Sequence, residues 1–416
     1  MKSRGVYIAI VVAALGYFVD IYDLILFGVV RIPSLNSLGI TEANDVRIEG
    51  EFLMNTQMTG LLIGGFIWGI LGDKRGRLSV LFGSIFLYSV ANLANGFVSS
   101  IEMYAVLRLI AGIGLAGELG AGVTLVSELM SKEKRGIGTT IIASFGLLGA
   151  VAANRVASLK LEVGMESWRI AYIVGGVMGL GLLALRFGVR ESGMFSNLEA
   201  MKVQKGSLSL FFKSKQTIFK YLNCVLIGVP LWFVIGIFVF QSPEFAKSLG
   251  LGFNVDAGFA IMLAYMGLSA GDLASGFLSQ LLKSRRKSVL IFLILTSLLS
   301  AHYLTLDPHT AEIHFYILIF SLGFSVGYWA VFVTIAAEQF GTNVRATAAT
   351  TIPNIVRGAL VPSTLLFQFF RTNIWGGMAK SDLYGAGAVI TILMSVAFVS
   401  LYYLQETFEK DLDYVE

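Results

Sequence analysis

The sequence predicts an all-α membrane protein in which twelve transmembrane helices form two pseudo-symmetric six-helix bundles. Three observations predict it. Apolar residues make up 56% of the chain and charged residues 14%, where a soluble domain carries nearer a quarter charged. Two or three soluble domains of this length could not be coated with so little charge. Twelve segments reach the roughly 20 apolar residues needed to cross about 30 Å of hydrocarbon. Finally, the halves repeat: Glu128 precedes Arg135 by seven residues and Glu338 precedes Arg345 by seven, an offset of 210, while Gly69 and Gly276 open loops 207 apart. A soluble enzyme, a disordered chain and a collagen-like chain are excluded. The single cysteine, Cys224, leaves no internal disulfide, Cys-based metal cage or iron–sulfur cluster.

The first span, 6–30, follows a basic start and has no small-residue cleavage site after it, so it reads as a retained helix and not a removed signal peptide. Spans 52–72, 79–98, 103–128, 137–159 and 168–188 complete a first bundle, 1–188. The longest polar stretch, 189–218, reads as a cytoplasmic linker. Spans 219–241, 257–282, 287–305, 313–335, 346–370 and 382–404 form the second bundle, 219–416. Paired bundles of this kind place a site at the interface of the repeats. Of the 31 Lys and Arg residues, 21 fall in loops on the side of the N-terminus and seven opposite, counting Arg31, Arg47, Lys160, Arg169, Lys247, Arg371 and Lys380. The positive-inside rule then sets both termini in the cytoplasm. The other three, Arg108, Arg155 and Arg357, fall inside spans.

The loop after span 2 reads Gly69-Ile70-Leu71-Gly72-Asp73-Lys74-Arg75-Gly76-Arg77. Its acid sits at a helix end beside cations, where charge-assisted bonds can latch one helix to the next; a simple basic turn is the alternative. This loop resembles the G-x-x-x-D-R-x-G-R signature of the major facilitator superfamily. Span 4 carries Arg108, then Gly112-Ile-Gly114-Leu-Ala-Gly117-Glu118, with Glu128 and Arg135 beyond; span 6 opens on Trp168-Arg169 and is followed by Arg190-Glu191-Ser192; span 10 ends in Glu338, with Arg345 after it; span 1 holds Asp20-Ile-Tyr22-Asp23. Together they are similar to the branch holding metabolite:proton symporters, phosphate:proton symporters and sugar porters. The resemblance implies a secondary transporter with a latch built from Asp73, Arg77, Glu128, Arg135, Glu338 and Arg345. Two features depart from the pattern: Gly193 stands where a proline is usual, and the second copy of the loop has Ser279-Gln280 in place of an acid.

An ionisable group at the bilayer centre costs roughly 2.5–3.5 kcal/mol on insertion scales, so such groups face a cavity, pair, or relay protons. Asp20 and Asp23 are three apart on one face of span 1. Two carboxylates so close cannot both ionise cheaply, an arrangement suited to a reversible proton carrier; two acids bonded structurally are the alternative. Arg108 and Glu118 lie about 15 Å apart along span 4, too far to pair with each other but able to meet the span 1 acids, Arg108 either as a switch or as a brace. Arg357, after Pro353 and Asn354, is suited to bidentate capture of carboxylate or phosphate, with Asn354 a further solute-binding candidate; pairing with Asp272 is the alternative for Arg357. The proline is expected to kink the helix there. Arg155 reads as an interface or gate residue or a solute contact. Trp232, Tyr328, Trp329 and Gln57 are further candidates to wall a site, and Tyr104 and Tyr265 weaker ones.

His302, His309 and His314 lack metal-pair spacing, so no metal is expected. No phosphate-cradling G-x-x-x-x-G-K-[ST] loop is present, which argues against ATP as the energy source. The basic linker suits anionic lipid and not nucleic acid. The expectation is a monomeric inner-membrane protein that is not an enzyme and needs no cofactor beyond the proton gradient. It would move a small anionic organic solute with protons, phosphate, a sugar or a betaine-like zwitterion being the alternative solutes and a transporter-like receptor the alternative class.

Overall fold

The computed structural model describes residues 3–75, 77–118, 135–159, 164–185, 215–341, 344–378 and 380–408. All regular structure among them is helical. Their contacts resolve into two compact units, Met1–Tyr221 with Ala336–Gly358, and Leu222–Ile335 with Ala359–Phe408.

In the first unit, α1 (Ser3–Ser37) lies against α5 (Arg135–Ala157) and α6 (Ser167–Leu185); α2 (Ala43–Arg75) against α4 (Ile101–Leu115) and α14 (Arg345–Gly358); and α3 (Arg77–Asn95) against α4 and α6. Glycine sets the closest approach. A Cβ on Gly112 of α4 would collide with the Gln57 carbonyl of α2, so these two backbones touch only because that side chain is missing. Ser100 caps α4, accepting from the Met103 N–H at 3.3 Å. The carbonyls left over at the other end of α4 also find partners. Trp68 Nε1 donates to Ile113 O at 2.6 Å and Asn354 Nδ2 to Ala116 O at 2.8 Å, so α2 and α14 are both tied to the end of α4.

The second unit builds on α10 (Ala257–Leu281), α11 (Arg285–Leu304), α12 (Glu312–Ser325) and α16 (Ser381–Tyr403). Its remaining spans are broken. Span 7 consists of α7 (Lys215–Leu226, its last residues in this unit), α8 (Val229–Phe233, with Pro230 in its first turn) and a π-helical stretch Val234–Val239. A short α9 (Ser242–Leu249), not expected from the sequence, ends at Gly250 in the left-handed conformation, φ 76°. Span 10 divides into α12 and α13 (Trp329–Glu338), and span 11 into α14 and α15 (Leu360–Phe369). Glu406 closes the N-terminus of α11. Burial pushes its carboxyl up, but bonds from the Ser284 hydroxyl and the N–H groups of Arg285, Phe408 and Arg286 outweigh this and hold it below the ordinary carboxylate value.

Expected span ends agree with the helices within three residues for spans 3, 5, 6, 8, 9 and 12. Span 1 runs further: α1 continues through Pro33 to Ser37, and Arg31, expected in an outer loop, is fully buried within it. Charge and proline together suggested a helix end. Instead the Ser34 hydroxyl bonds the Arg31 carbonyl at 3.0 Å and the helix goes on. The helix α14 runs through Pro353 and is interrupted at Gly358–Ala359, next to Arg357. Among the described residues six helical stretches are long and apolar enough to cross a membrane, 167–185, 215–239, 257–281, 285–304, 312–338 and 381–403.

Candidate functional site: a buried charge cluster

The first unit gathers most of the intramembrane charges around α1. Asp20 and Asp23 are wholly buried, one helical turn apart. Arg357, at the end of α14, brings Nη2 to 3.8 Å from Asp20 Oδ2, with both side chains almost completely buried. At that distance the pair is held by charge and not by a hydrogen bond, and neither Asp20 oxygen accepts one among the described residues. Glu118, 2% exposed just past α4, is near enough to act electrostatically on the same carboxyl. Arg357 is therefore the partner of Asp20.

Asp272, the alternative partner, does other work in the second unit. Its Oδ1 accepts the Ala330 N–H at 2.9 Å. It thus caps from α10 the restarted helix α13, whose first N–H groups have no partner within their own helix.

Asp23 lies over Gly175 of α6, where a Cβ would strike its Oδ1. Arg108 acts on it electrostatically and Asn92 borders it. Arg108, fully buried, donates from Nη2 to Gln57 Oε1. Its guanidinium carbon stands 5.0 Å from the centre of the Phe27 ring and 5.8 Å from that of Tyr172, so aromatic faces stabilise a cation that water does not reach. Tyr104 and Tyr172 share a hydrogen bond at 2.6 Å beside it, with Trp168 stacked on Tyr104 at 6.2 Å. Gln57, a polar residue in span 2, thus fixes the orientation of Arg108.

Asn354 is spent on backbone: besides Ala116 O it donates to Thr350 O at 2.8 Å. Tyr221 bonds Thr351 at 2.7 Å and further holds α14. Arg155 is exposed at the end of α5. In the second unit, Trp232 and Trp329 meet edge to face at 6.2 Å, and the Tyr328 hydroxyl donates to Ile227 O at 2.9 Å, bridging the breaks in spans 7 and 10. Of the latch residues, Glu338 and Arg345 are half-buried. Glu128 lies outside the described residues, and of Asp73, Arg77 and Arg135 only the helical position is described. Outside the spans, Glu166 holds its carboxyl below the usual range chiefly through the Ser37 hydroxyl at 2.6 Å, and it also pairs with Arg169 at 3.1 Å.

Sequence reasoning missed several members of this region. Phe27 and Tyr172 were indistinguishable from the many lipid-facing and packing aromatics. Buried Arg31 and Glu51 looked like loop or helix-end charges. Asn92 and Asn95, three apart inside an apolar span, did carry a signal: two amides on one face of a membrane helix.

Comparison with known proteins agrees with this architecture. The sequence model of the Major Facilitator Superfamily matches residues 13–362. A protein of Cupriavidus pinatubonensis named as a 4-methylmuconolactone transporter is 26% identical over 80% of this chain and 76% of its own length. One of Bacillus subtilis named as a niacin/nicotinamide transporter is 25% identical over 82% of each. One of Haemophilus influenzae named as a metabolite transport protein is 28% identical over 88% of this chain and 91% of its own. Among solved structures, the proton:xylose symporter XylE superposes with a TM-score of 0.73 at 17% identity, covering 99% of this chain and 98% of that one.

Proposed function

Because the chain belongs to the major facilitator superfamily, and so is a multi-pass membrane transporter of twelve helices and not an enzyme, we propose that it carries a small anionic organic solute together with protons. The observation that carries this reading is the buried ion pair between Asp20 and Arg357. At 3.8 Å Asp20 draws the guanidinium by charge and not through a hydrogen bond, so it is a partner that a solute carboxylate can replace. When a proton neutralises Asp20, the attraction on Arg357 falls and the guanidinium becomes available to a solute carboxylate. Proton and anion then enter together, which is what symport requires. Without the proton, Asp20 competes with the solute for the same cation.

Asp23 with Arg108 forms a second acid–arginine couple on the same helix, and Glu118 adds a carboxyl beside the first. These are the groups that take up and pass on the proton in this reading. Asn354 and Gln57 orient the two arginines' surroundings, and Trp232, Tyr328, Trp329 and Arg155 are the further solute contacts proposed. The halves 1–188 and 219–416, joined by 189–218, would alternate access in the inner membrane with both termini cytoplasmic. The Asp73, Arg77, Glu128, Arg135, Glu338 and Arg345 groups would latch the cytoplasmic face. The names of the relatives, one for a lactone acid and one for a pyridine carboxylate or its amide, support a compact carboxylate as the solute.

The test is uptake into proteoliposomes of a labelled panel: nicotinate, benzoate, 4-methylmuconolactone, inorganic phosphate, glycine betaine and xylose. Accumulation of a carboxylate above equilibrium under an inward proton gradient is expected, with loss on collapsing the gradient. Gradient-independent uptake removes the symport reading. Accumulation of only phosphate, betaine or sugar removes the carboxylate.

A further inference from the structure

Helix α3 carries a polar stripe that the charge cluster does not account for. Ser89, Asn92 and Asn95 follow one another at intervals of three and so share a face, and all three are fully buried. Nδ2 and Oδ1 of Asn95 and the Ser89 hydroxyl have no hydrogen-bond partner among the described residues, and the Asn92 amide meets only the Asp23 carboxylate. The hydroxyls nearby are committed elsewhere, Tyr22 to the Ala171 carbonyl at 2.8 Å and Tyr172 to Tyr104. An unsatisfied amide and hydroxyl in the hydrocarbon region are too costly to be kept dry; small waters bonded to several such groups are the usual remedy.

The stripe has a direction. At its middle Asn92 borders Asp23. The facing helix, α6, presents Gly175 under the Asp23 carboxylate and Gly179 under the Ser89 hydroxyl. These glycines are four apart, on one face, and a Cβ at either would strike the polar atom above it. The stripe ends at Asn95, the last residue of α3, about 9 Å along the axis from Ser89. There the chain turns: Arg169 clamps the Gly96 and Val98 carbonyls at 3.3 and 2.8 Å, and Phe97 is exposed. A polar seam therefore runs between α3 and the glycine face of α6, from the surface turn at residue 96 to Asp23.

We propose that this seam is a hydrated proton path to Asp23. The inference rests on the proton-coupled reading above and adds the route. The amides do not themselves change protonation state. They hold water in file, and a proton entering at the Asn95 end moves by successive O–H formation and breakage along those waters, with the Ser89 hydroxyl as a further donor and acceptor. It forms the O–H of the Asp23 carboxyl, and the same steps reversed release it. The charged and titratable groups facing Asp23 are Asp20 and the Tyr22 phenol on its own helix, Arg108 on α4 and the Tyr172 phenol on α6.

The test follows the Asp23 carboxyl directly and needs no solute. Purified protein in liposomes is perfused with heavy water while the protonated-carboxyl infrared band is recorded between pH 5 and 8, with Asp23→Asn identifying the band. Asn92→Leu and Asn95→Leu conserve volume and remove the water anchors, and each is expected to slow deuterium exchange of that band at least tenfold. Asn92→Ser, which still binds water, should restore most of the rate. Should a leucine variant fail to fold, Asn92→Ala and Asn95→Ala are measured against the same criterion. Exchange at the wild-type rate in folded variants, or no Asp23-dependent band at any pH, overturns the path. Proton-driven uptake with unaltered exchange would overturn the path and leave the symport reading standing. Slowed exchange with gradient-independent uptake would do the reverse.

Discussion

Replacing Asp20 by Asn tests the coupling reading most sharply. At 3.8 Å and an effective dielectric constant of about 20, two unit charges attract by about 4 kcal/mol. A solute carboxylate that takes Arg357 must overcome this attraction unless a proton has already done so. Desolvation and the asparagine dipole offset part of it, so release of about 1.4–2.8 kcal/mol is expected, or 10- to 100-fold tighter anion binding at pH 8. In the wild type, affinity for the best carboxylate of the panel should rise as pH falls, because a proton on Asp20 does what the asparagine does permanently. In Asp20→Asn it should be flat with pH. Calorimetric titration in detergent at pH 5.5, 7 and 8 measures both. The same variant should lose accumulation under a proton gradient yet keep exchange of labelled for unlabelled solute across the membrane. An Asp20→Asn protein that still accumulates solute, or still follows the wild-type pH dependence, would refute Asp20 as the coupling group.

Further outcomes follow from the same geometry. Arg357→Ala should abolish carboxylate binding by thermal shift, and unchanged affinity would move the anion site elsewhere. Gly112→Ala forces a Cβ into the Gln57 carbonyl and should destabilise the protein by about 1–3 kcal/mol in denaturant melts; a neutral result would mean that α2 and α4 separate easily. Asp272→Leu removes the cap on α13 and should cost about 1–2 kcal/mol without altering the pH dependence of binding, which separates it from the coupling acids. The Glu406 carboxyl lies below its ordinary value, so its contribution is present above the unfolded value of about 4.3 and is lost as pH falls through the folded one. Glu406→Gln should lower the melting temperature at pH 7 and lose that effect near pH 3, and an equal deficit at both pH values would contradict the assignment.

The parts of this molecule legible in its sequence are those with a one-dimensional signature. Apolar runs and loop cations revealed the spans, and the Asp73 loop with the Arg108–Glu118 stretch revealed the family. Asp20, Asp23, Arg108 and Arg357 stood out because charge inside a span is rare and expensive. What stayed hidden depends on where helices break and which faces meet. Nothing in the residues around Gly327 or Gly358 announces that spans 10 and 11 are each two helices. Once they break, the exposed N–H of Ala330 needs an acceptor, which determines the role of Asp272. The partner of Arg357 was illegible for the same reason. Asp272 was the acid expected to pair with it, and only the fold of the first unit brings Arg357 to Asp20. Arg31 misled because a charge next to a proline usually ends a helix, and only tertiary burial could override that local preference.

The charge cluster also has an internal logic. Asp20 and Asp23 sit one turn apart, which alone would set two carboxylates against each other in a medium that tolerates neither. Each has been given a different cation from a different helix, Arg357 from α14 and Arg108 from α4. The two cations are not held alike. Arg108 is fixed by Gln57 and by the faces of Phe27 and Tyr172, which leaves it little reason to move when Asp23 changes charge. Arg357 sits next to a helix break and reaches Asp20 through charge alone. A proton arriving on the seam side would meet the Asp23–Arg108 couple first, and one that reaches Asp20 would unbalance the couple joined by charge. The division assigns proton intake to Asp23 and solute release or capture to the Asp20–Arg357 pair. It predicts that Asp23→Asn slows proton-driven accumulation while leaving the pH dependence of anion affinity in place, whereas Asp20→Asn removes both. If Asp23→Asn flattened the affinity profile as fully as Asp20→Asn, the two acids would be acting as one titrating unit and the assignment of separate tasks would fall.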